Sequence, residues 1–330
     1  MRATGAILIL LGIALALAVP LALGGRAGLA GLEHISATGY AALAAVVLAG
    51  WLAKAAKLAL LVAPFGPRLD PLRSLAISLG ADCAFLASPG GVAGYPTNAL
   101  LLRRAGVSWS AAAAVVAADQ ILDLAFFAAA LPAAAFAWLG VGALFERSAS
   151  AAVLGISACA LLAAALVSAT VQRAIRGAAR AVFERFGISR ERRDRLRRFV
   201  SELRQHGRTL ASGHPLRVAA LLSLTALQWL ARYGVLSLAL AELGHQVPFS
   251  LVLLLQAFIM HVSQWSGIPG GGGAADLALT VALGSLMPAA LAATALLVWR
   301  IGTFHLVVLA GGVALSREML RRGPKGPVRR

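Results

Sequence analysis

Charge is what this sequence has least of: only 13% of its 330 residues are Asp, Glu, Lys or Arg, where an ordinary soluble domain carries about 25%. Acids are the scarcer sign, 13 against 30 Lys plus Arg, and cysteine is limited to Cys83 and Cys159, both inside apolar runs. Two such cysteines support neither a disulfide framework nor a Cys-based zinc site. No polar stretch of domain length interrupts the chain and no P-loop pattern occurs. No His, Asp and Glu grouping has metal-ligand spacing, and no nucleophile elbow is present. These gaps exclude a water-soluble globular enzyme and leave no cofactor or metal to expect.

What fills the sequence is apolar: 60% hydrophobic residues and a mean hydropathy of +0.83. A helix that crosses a bilayer needs about 20 mainly apolar residues, because the hydrocarbon core is about 30 Å thick and each residue rises about 1.5 Å. Residues 5–23, 40–62, 110–139, 150–172, 216–241 and 288–315 qualify, which predicts six full spans. The first follows Met1-Arg2 but is longer than the roughly 7–15-residue core of a cleaved signal, so a retained first helix is expected.

Two more apolar stretches, 72–104 and 250–286, are broken near their middles, by Ser88-Pro89-Gly90-Gly91 and by Ile268-Pro269-Gly270-Gly271. Neither can continue as a straight helix, since Pro lacks a backbone N–H and Gly weakens helix interiors. Basic loops mark the cytoplasmic side. Loop 63–73 carries Arg68 and Arg73, segment 173–217 carries thirteen Arg against four acids, and 316–330 is a basic tail. The opposing loops hold only Arg26 and Arg147 as bases. With both termini cytoplasmic, the charges agree only if the broken stretches are re-entrant hairpins, 72–104 dipping in from the cytoplasm and 250–286 from outside. The Arg-rich segment, with Leu196, Phe199, Val200 and Leu203 at helical spacing, reads as an interfacial amphipathic helix on anionic lipid. Nothing accompanies it that would suggest nucleic acid as a partner.

Superposing the breaks sets Pro89-Gly90-Gly91 on Pro269-Gly270-Gly271, each followed by an apolar half-helix, a Gly-containing turn and an Ala-rich span. The fold class expected is therefore all-α and polytopic, an inverted repeat with a first unit over 1–149 and a second over 150–315. Broken helices meeting near the midplane are a transporter architecture. Glycine apices there would offer backbone N–H groups and helix N-termini to an anion.

Charges inside the membrane cost about 2.5–3.5 kcal/mol or more, so each needs a partner or water. Asp119 and Asp123 share a helix face beside Gln120, and Arg300 aligns with Gln120 in the repeat. Arg300 is expected to face that Asp pair, either as a structural ion pair between the halves or as a bidentate contact for a lipid phosphate. Asp82, Gln228, Arg232, His261 and Gln264 are candidates for a polar or coupling path. Lys54 and Lys57, near the inner end of the second span, are expected to snorkel to headgroups.

The hairpin with Pro89, Gly90 and Gly91, the run Asp119-Gln120-Ile121-Leu122-Asp123-Leu124, and Pro269-Gly270-Gly271 through Asp276 with Arg300 together resemble the lysylphosphatidylglycerol synthase transmembrane-region family of flippase-like proteins. The resemblance covers nearly the whole chain. It implies a lipid-translocating scaffold acting on aminoacylated, glycosylated or polyprenyl-linked lipid. It also implies a substrate path that includes Tyr95 and Asn98, where the family pattern has Glu and Arg. The family's soluble aminoacyl-transferring domain has no counterpart in this sequence, so lipid synthesis is not expected. The reading is a lipid transporter in the cytoplasmic membrane whose partners are anionic lipids and, in one version, a separate lipid-modifying enzyme. A small-solute carrier, an intramembrane transferase or phosphatase, and a non-catalytic partner of such an enzyme remain as alternatives.

Overall fold

The computed structural model describes residues 25–65, 68–145, 190–264, 268–271 and 273–321, with a few positions between 14 and 22. Every longer regular element among them is helical: α1 Ala37–Val62, α2 Pro71–Leu86, α3 Gly94–Arg104, α4 Trp109–Phe145, α5 Arg190–Ala211, α6 Pro215–Glu242, α7 Phe249–Gln264, α8 Ala274–Gly284, α9 Ala289–Arg300 and α10 Leu306–Leu320. A π-turn, Ile301–His305, joins α9 to α10 without ending the helix. Four helical stretches are long and apolar enough to cross a membrane: Ala37–Phe65, Trp109–Trp138, Pro215–Glu242 and Ala289–Leu320. They match four of the six expected spans, and the protein is a multi-pass, all-helical membrane protein. The expected span 150–172 and the basic tail beyond Arg321 lie outside the described residues, as does almost all of 5–23.

Local chemistry sets several helix starts. Ser36 accepts a hydrogen bond from Gly39 N at 2.9 Å, and Asp70 accepts one from Arg73 N at 2.9 Å with Pro71 opening α2. Each cap satisfies a backbone donor that has no partner within the first turn.

Both broken stretches form short helix, Pro-Gly-Gly turn, short helix. Their arms match in length, 16 and 11 residues for α2 and α3 and again 16 and 11 for α7 and α8. The turns match in conformation: Gly90 has φ 60° and ψ 13°, Gly270 φ 63° and ψ 11°. In the first hairpin the arms fold back fully, since the Arg73 guanidinium donates to Arg104 O at 3.3 Å. The two Pro-Gly-Gly turns pack against each other.

At Gly270 a side chain is excluded twice. Its φ is left-handed, and an added Cβ would lie 2.1 Å from a Phe304 ring carbon. Gly270→Ala is expected to destabilise the fold by about 2–4 kcal/mol, the sum of the backbone penalty and of displacing a packed aromatic ring. A thermal unfolding midpoint equal to that of the wild type would show that the ring moves aside freely.

Packing between the halves is antiparallel. Along α1 and α6, Gly39 faces Glu242, Gly50 faces Ala231, and Arg217 donates to Leu60 O at 2.9 Å. Helix α2 runs antiparallel to α10, with Cys83 Sγ donating to Val308 O at 3.5 Å near one end and Arg73 Nε 3.5 Å from Glu318 near the other. The neighbour pattern also exchanges onto itself. Packing of α2 on α10, α3 on α4 and α1 on α4 has counterparts in α7 on α4, α8 on α9 and α6 on α9.

Two large apolar cores result, beside two smaller clusters. One joins Leu43 and Val47 of α1 to Leu236, Leu279 and Leu296, and the other joins Leu58 and Leu61 to Ile77, Leu101 and Val115. The stretch of α1 between them, 48–57, contributes only Trp51, packed on the edge of the first core, and it also holds Gly50, Lys54 and Lys57.

Candidate functional site

At that level lies a cavity of about 370 Å³. Helix α1 contributes Trp51 and Lys54, α2 Asp82 and Phe85, α3 Tyr95 and Asn98, and α4 Asp119, Gln120, Asp123 and Phe127. From the second half come Gln228, Trp229, Arg232 and Tyr233 on α6, with Gln256 and His261 on α7 and Trp299 and Thr303 on the last helix. Among the lining residues Tyr95 is 43% and Leu124 52% exposed, so among the described residues the cavity reaches the outer face of the bundle.

The charges around it are arranged in pairs. Lys54 contacts Asp82. Lys57 Nζ lies 2.7 Å from Asp119 Oδ1 and 2.8 Å from Asp123 Oδ1, and its own side chain is fully buried. The Trp229 indole N–H donates to Asp123 Oδ1 at 3.0 Å. Arg232 stands over the Trp229 ring at 5.9 Å and makes no ion pair among the described residues. An aromatic group completes the wall: Trp229 stacks on Tyr233, and Phe127 meets both rings and His261 edge-on.

Two expectations about charge are corrected here. Arg300 does not face Asp119 and Asp123. Its Nε and Nη2 donate to Asp276 at 2.5 and 3.0 Å, with Arg300 1% exposed and Asp276 fully buried. The reason is the hairpin itself: α8 and α9 are packed neighbours, which brings Asp276 on the first turn of α8 to the end of α9. Asp276 also accepts from Gly273 N at 2.9 Å, capping α8, and Arg300 Nη1 donates to Gly270 O at 3.2 Å. Lys54 and Lys57 do not snorkel to headgroups either. Asp82, Asp119 and Asp123 sit within reach at mid-span, and an ammonium beside a carboxylate has no reason to extend toward water.

The turns are placed differently from the sequence reading as well. Pro89, Gly90, Gly91, Pro269, Gly270, Gly271, Asp276 and Arg300 do not line the cavity. Gly91 N and Gly271 N donate to Ser88 O and Ile268 O at 3.0 Å each. Phe85 and Phe304 fill the space where Cβ atoms at Gly91 and Gly270 would stand. The Gly91 and Gly271 N–H groups are therefore already committed within the turns.

Of the other candidates, Asp82, Tyr95, Asn98, Asp119, Gln120, Asp123, Gln228, Arg232, His261 and Lys54 come together around the cavity, while the Gln264 side chain lies outside the described residues. Sequence reasoning missed Phe127, Trp229 and Gln256. Trp229 carried a signal, since it sits four residues before Tyr233 and so shares its helix face.

Within the sequence, residues 8–311 match the family described as Lysylphosphatidylglycerol synthase TM region. A curated relative from Archaeoglobus fulgidus, described as a UPF0104 membrane protein, is 24% identical over 285 residues, covering 82% of this chain and 84% of its own length. With the match spanning both hairpins, three of the four long apolar helices, the fourth as far as residue 311, and every residue of the cavity, the chain belongs to the lysylphosphatidylglycerol synthase transmembrane-region family.

Proposed function

We propose that the protein moves an anionic, phosphate-bearing lipid across the cytoplasmic membrane, its headgroup passing through the central cavity while its acyl chains stay in the bilayer. In this reading both termini are cytoplasmic. The 16- and 11-residue arms reach about 24 and 17 Å, each short of a hydrocarbon core of about 30 Å, which supports hairpins that enter and leave on one side. The equal arms, the matched turn angles and the antiparallel seam between α1 and α6 support an inverted repeat that presents the cavity to the two faces alternately.

The observation that carries the reading is Arg232: a cation without an ion-pair partner among the described residues, on the wall of a cavity at mid-membrane depth. Unpaired cations are costly in such a place and mark ion or substrate pathways. A guanidinium offers two parallel N–H donors that match a phosphate. The volume of about 370 Å³ suits a headgroup and not a whole lipid.

The test is leaflet-resolved movement of fluorescent lipids in liposomes containing the purified protein. Arg232→Gln is expected to slow movement of anionic lipid by about 10- to 100-fold, the loss of a charge-assisted contact of about 1.5–3 kcal/mol. If well-folded wild-type protein moves no lipid of any headgroup, the lipid reading fails. The same small volume would then favour a soluble anion as cargo.

A further inference from the structure

Counted at the cavity, one ammonium serves two carboxylates. Lys54 has Asp82 to itself, but Lys57 is shared by Asp119 and Asp123, whose side chains are only 9% and 15% exposed. The third cation, Arg232, reaches this pair only through Trp229, which it overlies and which donates to Asp123. With Arg232 turned toward Trp229 the three acids and three bases balance. When a phosphate engages Arg232, the Asp119 and Asp123 pair is left with one negative charge too many.

A second, independent feature points the same way. Three carboxamide oxygens on the cavity lining, Asn98 Oδ1, Gln228 Oε1 and Gln256 Oε1, are buried without a donor among the described residues. Those residues are 9%, 7% and 1% exposed. The orientation of Gln256 is set by its amide nitrogen, which donates to Tyr233 O at 3.0 Å and Val252 O at 3.4 Å. Buried acceptors without donors are unfavourable. A surplus carboxylate calls for positive charge, and the unmet acceptors supply ligands that a protonated or cationic species would satisfy.

We propose that the cavity binds one exchangeable unit of positive charge, a proton or a monovalent cation, at Asp119 and Asp123, and that this charge enters together with the anionic headgroup. The second clause rests on the lipid reading; the first does not. In the proton case one carboxylate oxygen of the pair takes a proton from hydronium on the side to which the cavity is open, forming an O–H bond and leaving water, and returns that proton to water on release. The groups that face the pair are Lys54 and Lys57 on α1, Asp82 on α2, Tyr95 on α3, Arg232 and Tyr233 on α6, and His261 on α7. Helix α5 meets α4 far from the pair, where Ser110 donates to Glu202 at 2.8 Å. His261 is the one imidazole in this set. Its Nδ1 is 2.6 Å from Ala257 O, and a control is needed to separate it from the pair.

Trp229 provides a built-in reporter, because its N–H bonds to Asp123. The full-length protein is placed in nanodiscs of phosphatidylcholine alone or with phosphatidylglycerol. Its Trp229-dependent fluorescence, taken as the difference from Trp229→Phe, is titrated with pH in sodium- and potassium-free buffer, then with Na⁺ and with K⁺ at fixed pH. A saturable response to pH alone identifies the proton, and one to Na⁺ or K⁺ identifies a cation. Asp123→Asn leaves Lys57 a one-to-one partner in Asp119, so the fold is retained while the response is lost; His261→Gln keeps the response. Phosphatidylglycerol is expected to tighten binding of the positive charge by about tenfold, as reciprocal coupling requires. No Trp229-dependent response to protons, Na⁺ or K⁺, or a response that persists in Asp123→Asn and in Asp119→Asn, overturns the proposal. A response that is present but indifferent to anionic lipid upholds the charge site and counts against the lipid reading alone.

Discussion

Arg300→Gln should destabilise the protein by about 3–5 kcal/mol, enough to deplete it from the membrane fraction. The effect is large because the substitution strands Asp276, a fully buried carboxylate, without its ion-pair partner. It also removes the donor to Gly270 O and, at 3.5 Å, the contact to Gly271 O, so the second Pro-Gly-Gly turn loses its tether to the last helix. A glutamine amide can replace one of these bonds at most. Breaking a buried ion pair costs far more than replacing both partners together. Arg300→Met combined with Asp276→Asn should therefore recover most of the loss, because Asn can still accept from Gly273 N and cap α8. Thermal unfolding of the wild type, the single and the double variant in the same detergent decides this. A single variant as stable as the wild type would mean that hairpin two is held by its apolar packing, and Arg300 would return to consideration as a substrate contact.

Lys57→Met is expected to be comparably damaging, by about 3–5 kcal/mol, and for a related reason: it leaves Asp119 and Asp123 together in a buried site with no cation in contact. The damage should have a sign in pH. A protonated carboxyl group has no unbalanced charge, so the variant should regain stability as the pH falls, whereas the wild type has less to gain. Adding Asp119→Asn and Asp123→Asn to Lys57→Met removes the stranded charges and should restore the midpoint at neutral pH. If the triple variant is as unstable as the single one, the damage comes from the packing of the lysine stem on α1 and not from charge.

The outline of the fold was legible in the sequence, because length and hydropathy alone decide whether a helix can span. Residues 40–62, 110–139, 216–241 and 288–315 met that condition, and their helices end within a few residues of those limits, save α4, which continues to Phe145, and the last helix, which continues to Leu320. The two breaks were legible for an equally local reason, since Pro-Gly-Gly cannot sit inside a helix. Which charge meets which was not. Arg300 was assigned to Asp119 and Asp123 through the repeat alignment, yet its partner is Asp276 on the adjacent hairpin arm, and the Asp pair is held by Lys57. Side-chain pairing depends on how each helix is rotated about its axis. A helix such as α4, apolar on nearly every side around Asp119 and Asp123, carries no polar stripe from which that rotation can be read. Lys54 and Lys57, three residues apart at mid-helix, did carry a signal: two ammonium groups at that depth imply carboxylates within reach.

The two halves differ in one respect that bears on stiffness. Shifting Arg300 and Asp276 back by the spacing of the two turns leads to Gln120 and Pro96, which cannot form an ion pair. Hairpin two is thus riveted at its apex to the last helix through Arg300. Hairpin one is clamped at its base, where Arg104 Nη2 donates to Met319 O and Arg321 O at 2.7 Å each, while its apex is held by Ser88 hydrogen bonds and the Phe85 ring. Mechanically, this is a jaw whose second side is pinned by an ion pair and whose first side is seated by apolar packing of Phe85 and Leu86 on Phe304 and Val307. Tyr95 and Asn98 ride on the first side. If the cavity changes shape as the proposed function requires, the side without an ion pair at its apex is expected to tilt first.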